Sequence, residues 1–263
     1  MIRVHRALLF FCLSFAAASN VWANEFETRE QAEAAIKRLN QLIAKKPTLA
    51  ASYVERGDAH YALNDLPRAI DDYTRAIKLD STRDQAYFGR GMALARAGRI
   101  DEGIADLSVY IERNPKSSVA YTKRGVRHIW KGDIAAAERD LTRAIELDQK
   151  NAEAHDDLGV VYAKQNKIRQ AAQHFSKTIE LDPTYQKAYH NLAICYHVSG
   201  QNQAALEVVD AGLKLNADHR GSVMLKSSIL KALGKSEEAR TLAEQAEFLP
   251  EENWTERTSL TGR

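Results

Sequence analysis

The sequence has very little cysteine, with Cys12 and Cys195 the only two such residues among 263. Cys12 lies in an N-terminal stretch that we predict is removed, so the remaining thiol has no intramolecular partner and a disulfide framework is excluded. Cys195 stands within an apolar run. A thiol in such a run is expected to be buried and inert rather than reactive.

Long hydrophobic runs are also lacking. The apolar stretch Ala7–Ala18 has twelve residues, which is too short to span a bilayer. Arg3 and Arg6 precede it, and Val21–Ala23 has the small-x-small pattern of a cleavage site. We therefore predict that Met1–Ala23 is a secretory signal peptide. The mature chain is then exported, periplasmic or secreted, with no stable membrane insertion after cleavage.

The chain has almost no net charge. Lysine and arginine total 37 against 35 acidic residues, and removal of Arg3 and Arg6 leaves 35 of each. A neutral surface with both signs interspersed gives no reason to expect nucleic-acid binding or electrostatic attachment to a membrane.

Metal and cofactor motifs are absent from the sequence. It contains no HExxH or CxxC spacing, and a metal site needs ligands that converge with defined geometry. Histidines do gather between residues 152 and 219, at His155, His174, His190, His197 and His219. We expect neither a metal site nor a cofactor.

What the sequence does contain is a unit repeated every 34 residues, best defined by residues 152–185. One column holds only small residues, namely Gly57, Gly91, Gly125, Gly159, Ala193 and Ser227. A second small column holds Ala69, Gly103, Ala137, Ala171, Ala205 and Ala239. These two columns predict the closest approach of two antiparallel helices, where a larger side chain would hold the backbones apart.

A third column predicts the turn between the two helices of each unit. It contains only asparagine and glycine, at Asn64, Gly98, Gly132, Asn166, Gly200 and Gly234. These residues enter the left-handed backbone region at low cost, so the column marks the end of a first helix. One helix pair cannot cover its own apolar face, so neighbouring units must stack on one another.

The repeated unit resembles the tetratricopeptide repeat (TPR), whose pattern is W-x2-L-G-x2-Y followed by A-x3-F, A and P. The residues of the fourth unit that match are Leu158, Gly159, Tyr162, Ala171, Phe175 and Pro183. His155 and Thr178 replace the preferred Trp and Ala. The resemblance implies an all-α fold, a right-handed α-solenoid of tandem helix-turn-helix repeats.

Six copies follow one another without insertion, at residues 50–83, 84–117, 118–151, 152–185, 186–219 and 220–253. Residues 24–49 carry the second-helix pattern alone and are predicted to form a linker and a capping helix. The sixth copy has polar residues in mid-helix, as a terminal repeat should. Residues 254–263 are predicted to be a C-terminal tail.

Arginine precedes the small residue in the first three copies, at Arg56, Arg90 and Arg124, where the family usually has leucine. One interpretation is a ladder that recognises acidic groups of a partner. The favoured interpretation is structural packing, with the methylene stem along a neighbouring helix and the guanidinium reaching a carboxylate or solvent.

The resemblance also implies a concave groove lined by the first helix of each copy. The residues carried over to this groove are Phe88, Met92, Arg96, Thr122, Val126, Ile129, Trp130, Glu153, Asp156 and Asp157. The groove would then run from an apolar centre to a solvated acidic patch. Its expected ligand is a peptide or protein with apolar anchors and a basic flank.

We therefore expect an exported, non-enzymatic scaffold that serves envelope assembly or maintenance. The alternative is an envelope enzyme or glycan-handling factor that uses the acidic cluster at residues 153–157. Acid/base catalysis needs two carboxyl groups in differing environments around a bond, whereas these carboxylates share one helix.

Overall fold

A computed structural model describes Phe26 and residues 28–250 of the chain. The predicted signal peptide and C-terminal tail lie outside the described residues. Within these limits the chain forms thirteen α-helices and no strand. The helices are α1 Arg29–Lys45, α2 Ala50–Ala62, α3 Leu66–Leu79, α4 Asp84–Arg96, α5 Ile100–Arg113, α6 Ser118–Lys131, α7 Ile134–Leu147, α8 Ala152–Lys164, α9 Ile168–Leu181, α10 Gln186–Val198, α11 Asn202–Leu215, α12 Arg220–Ala232 and α13 Ser236–Glu247.

Each repeat is a pair of helices joined by a short left-handed turn. All six residues of the asparagine and glycine column have positive φ, from 60° at Asn166 to 85° at Gly98. The first helices α2, α4, α6, α8, α10 and α12 each begin at the first residue of a predicted copy. Local backbone chemistry therefore sets the boundaries of the repeats.

The small column lies where the two helices of a pair meet. A Cβ added to Gly159 would be 2.6 Å from the Phe175 ring, and one added to Gly125 would be 2.8 Å from Leu141. In the fifth repeat Ala193 takes the place of the glycine, and the smaller Val209 stands where Phe175 does. The space that a larger first-helix residue needs is thus provided by a smaller partner on the second helix.

The repeats stack in chain order. Each helix contacts the next along the sequence, and each first helix also contacts the first helix of the following repeat. Over residues 28–250 no Cα atoms of successive second helices lie within 8 Å of each other. The first helices are therefore closer together, and their side is the inner side of the solenoid.

Helix α1 packs against the first repeat, on the face that has no earlier repeat beside it. A capping box between Thr28 and Gln31 starts the helix. Its buried residues Ala32 and Leu39 join a cluster with Ala59 of α2. A lone helix thus caps the apolar face that no earlier repeat covers.

No helix between residues 28 and 250 is both long and apolar enough to cross a bilayer.

Candidate partner-binding surface

The arginine column forms ion pairs inside the protein. Arg124 donates to both carboxylate oxygens of Asp140, with Nε–Oδ2 at 2.7 Å and Nη2–Oδ1 at 2.8 Å. Arg56 binds Asp72 and Arg90 binds Asp106 in the same two-pronged way. The carboxylate lies on the second helix of the same repeat, so these arginines join helix pairs. The structure supports the packing interpretation.

The fourth repeat replaces this ion pair with two histidines. Leu158 stands in the arginine place and His174 in the aspartate place, while His155 replaces the tyrosine of the earlier copies. The Nδ1 atoms of His155 and His174 are 3.1 Å apart, and His155 Nε2 is 3.3 Å from the Gln149 carbonyl. If His155 Nε2–H donates to that carbonyl, then His174 Nδ1–H donates to His155.

Burial shifts the pKa values of two histidines, His174 and His190, and of the free cysteine Cys195. Burial lowers the pKa of His174 to about 4, helped by the neighbouring His155, and it lowers that of His190 to about 4 as well. Burial raises the pKa of the free Cys195 thiol to about 11. No group of three or more potential metal ligands occurs among the described residues.

Two residues predicted to line the apolar centre of the groove are buried instead, and the prediction is wrong for them. Phe88 is 2% exposed and Met92 is 7% exposed, and both belong to a core cluster with Leu107, Ile111 and Ala120. They fill the space between α4, α5 and α6 because Leu107 and Ile111 present their side chains there. Phe88 and Met92 are core residues, and they are unavailable as exposed anchors.

Thr122 is a third predicted groove residue that the structure buries. Its side chain is fully buried, donates to the Ser118 carbonyl at 3.0 Å and accepts from Asn151 Nδ2 at 3.0 Å. Thr122 therefore links the start of α6 to the start of α8. It is a structural residue of the interface between two repeats.

The other predicted groove residues on α4 and α6 lie closer to the surface. Trp130 is 44% exposed, and the Arg127 guanidinium lies 4.7 Å from its ring centroid. Val126 is half-buried, and Ile129 is half-buried against the core between α7 and α8. The Arg96 guanidinium lies 5.4 Å from the Tyr61 ring centroid. Of the apolar anchors, Trp130 has the largest exposed fraction.

Three exposed apolar residues on the later first helices were not among the predicted groove residues. Ile194 is 38% exposed and Val198 is 65% exposed on α10, and Met224 is 47% exposed on α12. In the repeat register they occupy the same groove columns as Met92, Trp130 and Phe88. The 34-residue register therefore contains the signal for these residues in the fifth and sixth copies.

Two of the three carboxylates in the acidic cluster on α8 are buried rather than solvated, which corrects the expectation, while the Glu153 side chain is 41% exposed. Asp156 is fully buried and Asp157 is 8% exposed. Lys187 of α10 faces both, with its Nζ 2.9 Å from Asp156 Oδ2 and 3.9 Å from Asp157 Oδ1. Glu153 pairs with Lys123 of α6 at 2.6 Å. Three carboxylates and two ammonium groups thus connect three successive first helices.

Desolvation dominates the titration of this cluster. It raises the pKa of Asp157 to about 8 and raises that of Asp156, despite the nearby ammonium of Lys187. Burial alone would lower the pKa of Lys187, but the two aspartates outweigh it and the pKa rises. Burial and these carboxylates also raise the pKa of Tyr185. At neutral pH the cluster therefore holds a proton that isolated aspartates would release.

Comparison with known proteins identifies the family. The sequence matches the tetratricopeptide repeat at residues 20–84, 54–118 and 123–186, and a second tetratricopeptide repeat family at residues 162–229. These matches cover most of the chain. The chain belongs to the tetratricopeptide repeat family, and its fold is that of a helical scaffold for protein–protein interaction. No curated protein matches the sequence.

Solved structures share the fold at low sequence identity. Pseudomonas aeruginosa PilF superposes with a TM-score of 0.69 at 14% identity, covering 83% of this chain and 92% of PilF. YrrB, described as a TPR protein with an unusual peptide-binding site, gives 0.56 at 23%, covering 72% and 97%. A chain of the Cut9–Hcn1 assembly of APC/C gives 0.67 at 18% over 83% of this chain, which spans 45% of that chain's length.

Proposed function

We propose that this protein is an exported scaffold that holds a segment of a protein partner on the inner side of its first helices. The observation that carries the proposal is a row of exposed apolar side chains on the first helices. Trp130 lies on α6, Ile194 and Val198 on α10, and Met224 on α12. Four of the seven exposed large apolar side chains over residues 28–250 thus lie on first helices, and exposed apolar groups on successive repeats favour a partner-binding surface.

The order of the helices also predicts which groups the partner carries and how far apart they are. The carboxylates of α8 lie between the apolar residues of α6 and those of α10, so a basic group would lie between two apolar anchors. Packed helices are about 8–10 Å apart, which places α6 and α10 roughly 20 Å apart. An extended segment rises about 3.3 Å per residue, so its two anchors would be about six residues apart.

Affinity capture with matched variants tests the scaffold function. The mature chain is used to capture partners from its native envelope extract, alongside Trp130→Ala and Ile194→Asp. The control is Gln173→Ala, an exposed change on the second helix α9. We expect one partner to be lost in both groove variants and retained by the control. Equal retention by all variants would contradict the use of this surface.

Export is tested separately, because the residues that predict it lie outside the described part of the chain. Residues 1–28 are fused to a reporter enzyme that is active only after export. We expect activity, and its loss when Arg3, Arg6 and the apolar stretch are replaced by polar residues. An inactive reporter with the unchanged segment would contradict export.

The enzymatic alternative has less support from the geometry. Asp156 and Asp157 are adjacent on one helix and face the same ammonium of Lys187. General acid and base groups instead flank a bond in separate environments. Turnover by the purified protein that disappears in Asp156→Asn would favour the enzyme over the scaffold.

A further inference from the structure

A cleft opens on the side of the second helices, between α9 of the fourth repeat and α10 of the fifth. Its volume is about 710 Å³, within the range of about 300–1,000 Å³ that is usual for sites of small ligands. The cleft runs along one stripe of α9 and ends at the turn that follows α10. The exposed apolar residues of the first helices do not line it, so the cleft is separate from the proposed partner surface.

The cleft exists because two small residues meet at this junction between repeats. At the preceding junction, the amide of Gln165 at the end of α8 donates to the carboxylate of Glu138 on α7 at 2.6 Å, so side chains at these two places reach each other. In the repeat register the same two places at the junction of α9 and α10 hold Ser199 and Ala172. Neither of these short side chains can fill the gap, and the space between the repeats stays open.

The replacement of an arginine by leucine changes the wall of the cleft as well. In the second repeat the Ser108 hydroxyl accepts from Arg124 Nη1 of the following repeat at 2.9 Å. Ser176 stands in the place of Ser108 two repeats further on and lines the cleft, but the arginine place there holds Leu192. Leucine has no hydrogen-bond donor, so the guanidinium that occupies this place in earlier repeats is replaced by an apolar side chain. A ligand can supply the group that the arginine supplies elsewhere.

The lining of the cleft is polar and has a net positive charge. Its charged residues are Arg169, Lys177 and Glu180, all on α9. Lys177 Nζ is 2.6 Å from Glu180 Oε1, so these two charges offset each other and Arg169 supplies the excess positive charge. The surrounding sequence is basic too, because residues 158–179 contain four lysines and arginines and no acidic residue. Uncharged side chains that can donate or accept hydrogen bonds complete the lining, namely Gln173, Ser176, Tyr196, Ser199 and Gln201.

We propose that this cleft binds a sugar acid, a small ligand with one carboxylate and several hydroxyl groups. The carboxylate accepts from Arg169, because a guanidinium presents two N–H groups that match two carboxylate oxygens. The ligand hydroxyl groups bond the amide and hydroxyl side chains of the lining, and Ile168 and Tyr196 offer apolar surface to the carbon atoms of the sugar. This inference goes beyond the scaffold function, since it assigns a second site on the opposite side of the repeats.

NMR of the mature protein labelled with ¹⁵N tests the proposal. The probe is D-glucuronate, and the controls are D-glucose, which lacks the carboxylate, and acetate, which lacks the hydroxyl groups. We expect glucuronate to shift the amide signals of α9 and of residues 199–201, with a dissociation constant on the order of 1 mM for so small a ligand. Glucose and acetate should each bind at least about tenfold more weakly. Unchanged signals at about 20 mM glucuronate would overturn the proposal, and so would equally tight binding of glucose or acetate.

A pair of arginine variants tests the charge of the site. Arg169→Gln should weaken glucuronate binding about tenfold, because the amide cannot replace the charged guanidinium. The matched control is Arg143→Gln on α7, an exposed arginine that does not line the cleft, and it should bind as the original protein does. Equal binding by Arg169→Gln and the original protein would contradict the assignment of the carboxylate.

A cleft-filling variant tests the position of the site. At the next junction the same two places hold Leu206 and Leu233, which pack in one core cluster. The double variant Ala172→Leu/Ser199→Leu should therefore fold and lose glucuronate binding. Unchanged binding by the folded double variant would overturn the proposal. Arg169 is exposed, so Arg169→Gln keeps the proposal testable even if the double variant does not fold.

Discussion

Removal of the Arg124 side chain should show how much an ion pair of the arginine column contributes to the free energy of unfolding. Arg124→Ala leaves the Asp140 carboxylate, whose side chain is 9% exposed, without its two-pronged partner. His128 Nε2 lies 3.8 Å from the same carboxylate, but burial lowers the pKa of this histidine and favours its neutral form. The variant thus contains a buried carboxylate that no nearby cation compensates.

The magnitude follows from the burial of the pair. Breaking a buried ion pair by removing one partner costs about 3–5 kcal/mol. The Arg124 side chain is 20% exposed, so water partly screens the pair and we expect about 2–3 kcal/mol. The matched control is Arg143→Ala, which breaks a pair with Glu146 whose side chains are 48% and 58% exposed. Because water screens this exposed pair, the urea midpoint of Arg143→Ala should stay close to that of the original protein.

The fifth repeat has an apolar pair at the two places where the third repeat has the ion pair. It has Leu192 and Val208 at the places of Arg124 and Asp140. The double variant Arg124→Leu/Asp140→Val should therefore be within about 1 kcal/mol of the original protein, because an apolar pair can replace a buried ion pair. The assay is urea unfolding followed by circular dichroism, fitted with nearest-neighbour coupling between repeats. A loss for Arg124→Ala no larger than that of Arg143→Ala would refute the reasoning, as would a double variant as unstable as the single one.

Three further predictions concern the interior. Gly159→Ala should lose about 1–3 kcal/mol in thermal unfolding, because the added Cβ would be 2.6 Å from Phe175, and Phe175→Val should restore stability if this contact is the cause. His174 should lower stability by about 2 kcal/mol between pH 6.5 and pH 4, because the unfolded chain takes up a proton that the folded, partly buried imidazole does not; His174→Gln should therefore lose less than the original protein over this range, and an equal fall would contradict this. Cys195 should resist iodoacetamide in the folded protein and react in urea, and rapid native labelling would show that it is not buried.

The positions of the helices could be predicted from the sequence because local chemistry sets them. The turn column requires positive φ, which Asn166 and Gly98 adopt at low cost. The small columns likewise mark where two backbones approach. These features depend on residues within one 34-residue unit, so the periodicity alone reveals them.

The burial of groove-column side chains could not be predicted in the same way. Phe88, Thr122 and Asp156 share one column, and all three are buried by the helices that follow them. Side chains of the neighbouring repeat determine the exposed fraction in this column, and a single 34-residue unit does not contain them. Asp156 looked like a surface residue because carboxylates are seldom buried unless they are paired. The partner that decides its burial, Lys187, is in the next repeat.

The sequence also contains a signal for the ion pairs between the two helices of a repeat. Arg124 and Asp140 are 16 residues apart, and the first two copies repeat this spacing. Both members change together in the fourth copy, to Leu158 and His174. Paired loss of this kind within one chain indicates contact between the two positions.

Hydrogen–deuterium exchange of the mature chain with and without its captured partner tests the central claim most directly. The account predicts slower exchange in the first helices α6, α10 and α12, which carry the apolar row, and in α8, which lies between α6 and α10. The second helices α7, α9, α11 and α13 should exchange at unchanged rates. Protection confined to the second helices would contradict a partner held on the inner side.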